Sequence, residues 1–158
     1  MDKSQDEMIS EEIGNLLRET FEKVDGFFLD KGTSLLETLD DLSSGEVSIC
    51  PSGSDSSIAG HVRHISFFMK TIIGYNTGEI DEPTDWNQSW TVEKVSDREW
   101  EELKKEVRDS YELVKNNIAS MTYWKNVDDF AGILCILSHT SFHMGAIWKM
   151  SSQIRAWK

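Results

Sequence analysis

The stretch from Ile133 to Met150, ILCILSHTSFHMGAIWKM, restricts this chain more than any other. Gly132, Ile136, Ala146 and Met150 recur in steps of four and three, and His139 and His143 occupy the two steps between them. A helix with this spacing turns two histidines into an apolar seam. Residues four apart on a helix stand about 40° apart around the axis and roughly 6 Å along it, so both imidazoles can reach one ion. A third ligand must come from elsewhere in the chain. Of four histidines in all, the other two, His61 and His64, lie together in GHVRHISFFMK. The competing reading, in which His139 and His143 are unrelated buried or solvated histidines, is weakened by this second cluster.

The chain has 158 residues, enough for one well-cored domain, and a single domain over 1–158 is expected. Apolar residues at 39%, charged residues at 28%, ten Gly and only two Pro suit a globular chain with long helices. The net charge of −12 excludes nucleic acid as an expected partner, because phosphate binding depends on Lys and Arg. No run of 18 apolar residues occurs, and the N-terminus MDKSQDEMISEE is acidic and polar, so neither membrane insertion nor a leader is expected and the protein is predicted to be cytoplasmic. Cys50 and Cys135 lack C-x-x-C spacing and suit a reducing compartment. Cys135, in the apolar helix, reads as a core residue.

Helical spacing starts at Ile9 and continues through Ile13, Leu16, Leu17, Phe21, Val24 and Phe28 to Leu39, so a long first helix is predicted to about Leu42, bent or broken near Gly26 and Gly32. Ser43, Ser44 and Gly45 stop it, and a loop with Pro51 follows. A second helix is expected from Ser56 or Ser57, as cap, to about Tyr75, with Ile58, Val62, Ile65, Phe68, Met69 and Ile72 as its apolar residues. His61 falls on the stripe of Ile58, Ile65, Phe68 and Ile72, and His64 lies one step aside. From Asn76 to Val95 a long connection holds Pro83, Trp86 and Trp90. Trp86, Trp90 and, further on, Trp148 are candidates for the walls of a pocket; the alternative for Trp86 and Trp90 is that they cover one end of the core. Ser96 with Glu99 forms a capping box ahead of a third helix through Trp100, Leu103, Val107, Tyr111, Val114 and Ile118, whose other face is charged. A fourth helix is predicted from about Asp128 to near the C-terminus, with Asn126 as its cap. Four amphipathic helices and no strand signal predict an all-α four-helix bundle, an architecture in which metal sites are built from facing helices.

The stretch SSIAGHVRHISFFMK resembles the second-helix signature of the DinB/YfiT-like superfamily, in which a serine or threonine starts a helix leading to a histidine followed by an aliphatic residue. SHTSFHMGAI is similar to its fourth-helix signature, a His-x-x-x-His pair followed closely by glycine and an aliphatic residue. FLDKGTSLLETLDDLSSGE also has the look of the first helix and following turn, so the resemblance spans nearly the whole chain and is diffuse outside the histidine motifs. It implies a bundle of up-down-down-up connectivity in which three histidines hold a divalent metal, often zinc or nickel. The long connection after the second helix fits a chain that must return along the bundle. Carried over by position, the implied ligands are His61, which stands directly before Val62, with His139 and His143; His64 falls beside the metal. Where the family often has Arg-Gly-Gln or similar after the last histidine, this chain has Met144, Gly145 and Ala146, so a role for those polar residues does not carry over.

Three neutral imidazoles leave a divalent ion with open positions, the arrangement of catalytic rather than closed structural sites. The ion can lower the pKa of a water or a thiol there, giving a nucleophile without a dedicated base. The resemblance implies two activities accordingly, metal-dependent hydrolysis and transfer of a low-molecular-weight thiol onto an electrophile. Imidazole ligands do not separate zinc from nickel. No Asp or Glu is tied to the histidines by spacing, so the base is unassigned, and Arg63 reads as a surface residue. The expected partner is a small-molecule substrate, and a homodimer is compatible with every reading. The alternatives are a non-catalytic metal-binding or stress-response module of the same fold, and a structural bundle whose exposed apolar face serves dimerisation.

Overall fold

Serine caps and glycine turns set the helix limits. The computed structural model describes residues 3–121, 124 and 127–156, and among these it contains six α-helices, one 3-10 turn and no strand. They are α1 (Gln5–Phe21), α2 (Leu35–Asp40), α3 (Ser44–Val47), α4 (Ile58–Thr77), α5 (Asp97–Ser120) and α6 (Val127–Ala156), with the 3-10 turn at Trp86–Trp90 between α4 and α5. The chain is therefore all-α. The first long helix is divided: α1 ends at Phe21, and α2 begins only after Gly26 and Gly32 have taken φ of 93° and 80°. At such φ an L side chain is strained, so the two glycines permit the turns that separate the helices. Glu19 holds the intervening segment. Its buried carboxylate accepts backbone N–H bonds from Asp25, Phe27, Phe28 and Leu29 at 2.7–3.2 Å. Part of the predicted loop after Leu42 folds as the single turn α3, with Ser43 accepting from the Glu46 amide.

Ser57 caps α4 by accepting from the Gly60 amide, and Gly78 closes it in the left-handed conformation at φ 78°. The Ser96–Glu99 capping box opens α5. The start of α6 falls at Val127; its proposed cap, Asn126, lies outside the described residues.

One apolar cluster joins the four long helices, through Leu17 and Phe21 of α1, Ile58, Val62 and Ile65 of α4, Val107 and Val114 of α5, and Ile133, Ile136 and Ile147 of α6. Each buried side chain of this size stabilises the fold by about 1.5–3 kcal/mol relative to exposure. Phe21 stacks on Tyr111 with ring centroids 4.4 Å apart, tying α1 to α5. Helix α4 is the hub, packing on α5, on α6 and on the 3-10 turn. The approach to α6 is close: a Cβ at Gly132 would come within 3.0 Å of Asn76 and Ile72. At the other end, a Cβ at Gly60 would lie 2.8 Å from the Val92 carbonyl, so the returning connection presses directly on the first turn of α4.

Helix α6 differs from the others. It is apolar around most of its circumference, with a mean hydropathy of 1.4 over its most apolar 18-residue window, and by length and composition it could cross a membrane. Only 33% of that window is buried. Cys135, expected in the core, is exposed on its outer side because the buried stripe runs through Ile133, Ile136, Thr140 and His143 instead. Cys50 is exposed as well, its Sγ 3.3 Å from the Ser54 carbonyl.

Candidate metal centre

The packing of α6 against α4 brings all four histidines together. His64 from α4 and His139 and His143 from α6 each offer a ring nitrogen, and these three atoms lie within 4.8 Å of one another. His64 Nε2 and His139 Nε2 are 2.9 Å apart. His61, one turn earlier on α4, places its Nδ1 2.9 Å from His143 Nδ1. The sequence reading put His61 on the metal and His64 beside it; in the fold, His64 belongs to the three-nitrogen group and His61 stands against its edge, bonded to His143.

Hydrogen bonding fixes the tautomer of His64. Ser89, fully buried in the 3-10 turn, donates its hydroxyl proton to the Trp86 carbonyl at 2.6 Å. Its oxygen must therefore accept from His64 Nδ1–H, 2.6 Å away. In the neutral ring, Nε2 then carries the lone pair, and it is Nε2 that faces His139. A ligating histidine ordinarily gives its second N–H to such a partner, which fixes both tautomer and ring orientation. Aromatic rings complete the enclosure: Trp90 stacks on His64 with centroids 4.1 Å apart, and Phe68 stacks on His139 at 3.8 Å.

The electrostatics favour neutral imidazoles. Burial, followed by repulsion from His139 and His61, brings the His64 pKa down to about 4. Burial and the other three rings bring His143 down to about 3. His61 and His139 are lowered by burial as well. Four rings packed this closely with no carboxylate in the group resist a positive charge on any of them. Such a set suits a cation with deprotonated nitrogen ligands. Two nitrogens at 2.0–2.1 Å from a tetrahedral ion would be separated by about 3.3 Å, so the 2.9 Å contact would open by a few tenths of an ångström and the widest separation in the group, up to 4.8 Å, would close by about 1.5 Å. The buried three-histidine group can hold a metal ion.

A groove of about 990 Å³ runs beside the cluster, between the segment Ser48–Ser57 and the outer face of α6. His61 lines it, as do Trp90, Phe142 and Met150, together with Lys94 and Lys149. His61 thus stands between the groove and the three-nitrogen group. Of the tryptophans proposed as pocket walls, Trp90 reaches both the groove and the histidines. Trp86 packs against Phe67 and Phe68, one layer out. Trp148 donates to Thr38 Oγ1 at 3.1 Å and lines a separate groove with Phe28 and Arg155. Arg63 is half-buried in an ion pair with Glu106 of α5, which also binds Lys70 at 2.7 Å.

Two contributors were missed from sequence. Ser89 lies in the long connection, with no local pattern to mark it, and Phe68 read as an ordinary apolar residue. No protein-family model, curated protein or solved structure matches the chain.

Proposed function

We propose that this protein is a metal-dependent enzyme of the DinB-like kind, a hydrolase or a low-molecular-weight-thiol S-transferase, built on an up-down-down-up four-helix bundle. The observation that carries the reading is the convergence of His64, His139 and His143, with His64 Nε2 left as an acceptor by the Ser89 bond. The ligand set proposed is these three, with His61 as the partner of His143. The long connection between α4 and α5 supports the bundle topology, since it gives the chain length to return before the next helix starts.

Zinc or nickel is the proposed ion, and its charge would lower the pKa of a water or a thiol at an open position. The chain's own residues do the rest. Ser89 orients His64, Trp90 and Phe68 exclude water from the ring faces, and His61 meets whatever enters the groove. Because the His61 pKa is lowered by burial, its ring is neutral at pH 7 and can accept a hydrogen bond from a substrate.

A non-catalytic metal-binding or stress-response module is the second reading, favoured by the lack of any carboxylate in the group to serve as a base. Elemental analysis of untagged protein purified without chelator tests the first reading. About one zinc or nickel per chain, lost in His64→Ala, supports the site. A folded protein that takes up no metal even on reconstitution refutes it, and metal without turnover on thiol acceptors, esters or amides leaves the binding module.

A further inference from the structure

The outer face of α6 is exposed along much of its length, and at Phe142 and Lys149 it rims the groove walled by Ser48–Ser57. Asp128, Leu134, Cys135, Ser138, Phe142 and Lys149 are exposed, and on a helix they fall in one stripe about 120° wide. Phe142 is 73% exposed and Leu134 37%. From Phe130 to Ala156 the helix contains no Asp or Glu, in a chain that has 28 of them and a net charge of −12. The stripe itself holds one acid, Asp128, and one base, Lys149.

We propose that the exposed stripe of α6 is a two-fold interface with a second copy of this chain, the two helices antiparallel and crossing near Ser138. The charges set the direction. Asp128 and Lys149 are the charged residues of the stripe, and neither has an ion-pair partner among the described residues. They stand roughly 15–16 Å to either side of Ser138 along the axis. A parallel pairing would set Lys149 against Lys149 and Asp128 against Asp128; the antiparallel one sets each Lys149 against the other copy's Asp128. The same register is sterically complementary. Phe142 lies about 6 Å to one side of Ser138, and Leu134 and Cys135 lie about 5–6 Å to the other, so each Phe142 packs on the Leu134 and Cys135 of the second copy. Because Phe142 and Lys149 also rim the groove beside the histidines, the second copy borders the entrance to the site.

Sedimentation velocity over a range of concentrations tests this on the full chain. The wild type should dimerise, and Phe142→Asp should raise the dimer dissociation constant at least tenfold while helix content by circular dichroism is unchanged. Lys149→Glu should weaken the dimer, and the double variant Lys149→Glu with Asp128→Lys should restore it. Ser138→Cys should form a disulfide-linked dimer on mild oxidation. A protein that is monomeric at all concentrations overturns the proposal. So does a dimer indifferent to Phe142→Asp, or one weakened further by the double variant. Flotation of monomer with phosphatidylcholine vesicles, abolished by Phe142→Asp, would also overturn it and make a bilayer the occupant of this face.

Discussion

Replacing His64 and His61 separately by alanine should divide their roles, because the two lie on the same helix and differ chiefly in what they touch. His64 offers Nε2 to the three-nitrogen group, whereas His61 bonds only the edge of His143. At a free ion concentration of one hundred times Kd, a single site stabilises the native state by about 2.7 kcal/mol. For a domain of this size that is a rise in Tm of about 5–11 °C. Losing a hydrogen-bond partner of a ligating histidine typically weakens metal binding by about 10–100-fold. At the same ion concentration, His61→Ala should then keep about 0.4–1.4 kcal/mol of that stabilisation, a rise of about 1–6 °C. His64→Ala removes a donor outright and should show no measurable rise. The assay is a thermal melt with and without zinc or nickel, each variant compared with its own metal-free form, so that any direct cost to the fold cancels. If His64→Ala retains the larger rise and His61→Ala has none, the assignment drawn from the 4.8 Å grouping is wrong and the ligand on α4 is His61.

Ser89→Ala should reduce metal affinity by about 10–100-fold without removing the metal, since His64 Nδ1–H loses the acceptor that fixes its tautomer; titration calorimetry reads the affinity, and imidazole nitrogen shifts in the metal-free protein read the tautomer. In the metal-free state the stability should be fully present above about pH 6.5 and fall as the pH drops toward 3, because the unfolded chain takes up protons near 6.5 while His64 waits until about 4 and His143 until about 3; urea midpoints across this range, repeated with saturating zinc, check it. Burial raises the Glu19 pKa, but its four backbone N–H bonds prevail and hold it at about 2, so the stability it contributes is present above about pH 4.5 and lost as pH falls toward 2. Glu19→Gln should lower stability at neutral pH, remove its share of that acid dependence and speed amide exchange at Phe27, Phe28 and Leu29.

Where the sequence was informative, the information was local. The limits of α4 and α5 follow from Ser57, Gly78 and the Ser96–Glu99 box, because a cap is a contact between residues a few positions apart. The break after Phe21 was foreshadowed by Gly26 and Gly32, yet the sequence did not reveal what stabilises it. A glutamate in a helix reads as solvated, and only the fold turns Glu19 inward onto four amides. Cys135 was misplaced for a related reason. On a helix apolar nearly all round, the buried side cannot be read from hydropathy, and the packing partners decide it.

The histidines show the same limit at the site itself. A histidine followed by an aliphatic residue describes His61 before Val62 and His64 before Ile65 equally well. Three residues apart, the two rings stand about 60° apart around α4, and both lean toward α6. What separates them is the connection after α4, which presses its carbonyl at Val92 against Gly60 and carries Ser89 onto His64, while Trp90 meets both rings. That contact joins residues far apart in sequence and leaves no periodicity behind. Which of the two histidines joins the three-nitrogen group is therefore a tertiary property, set by where a 3-10 turn docks. A substitution that displaces that turn, such as Gly60→Ala against the Val92 carbonyl, should loosen His64 without touching any histidine, and it should lower metal affinity more than it lowers helix content.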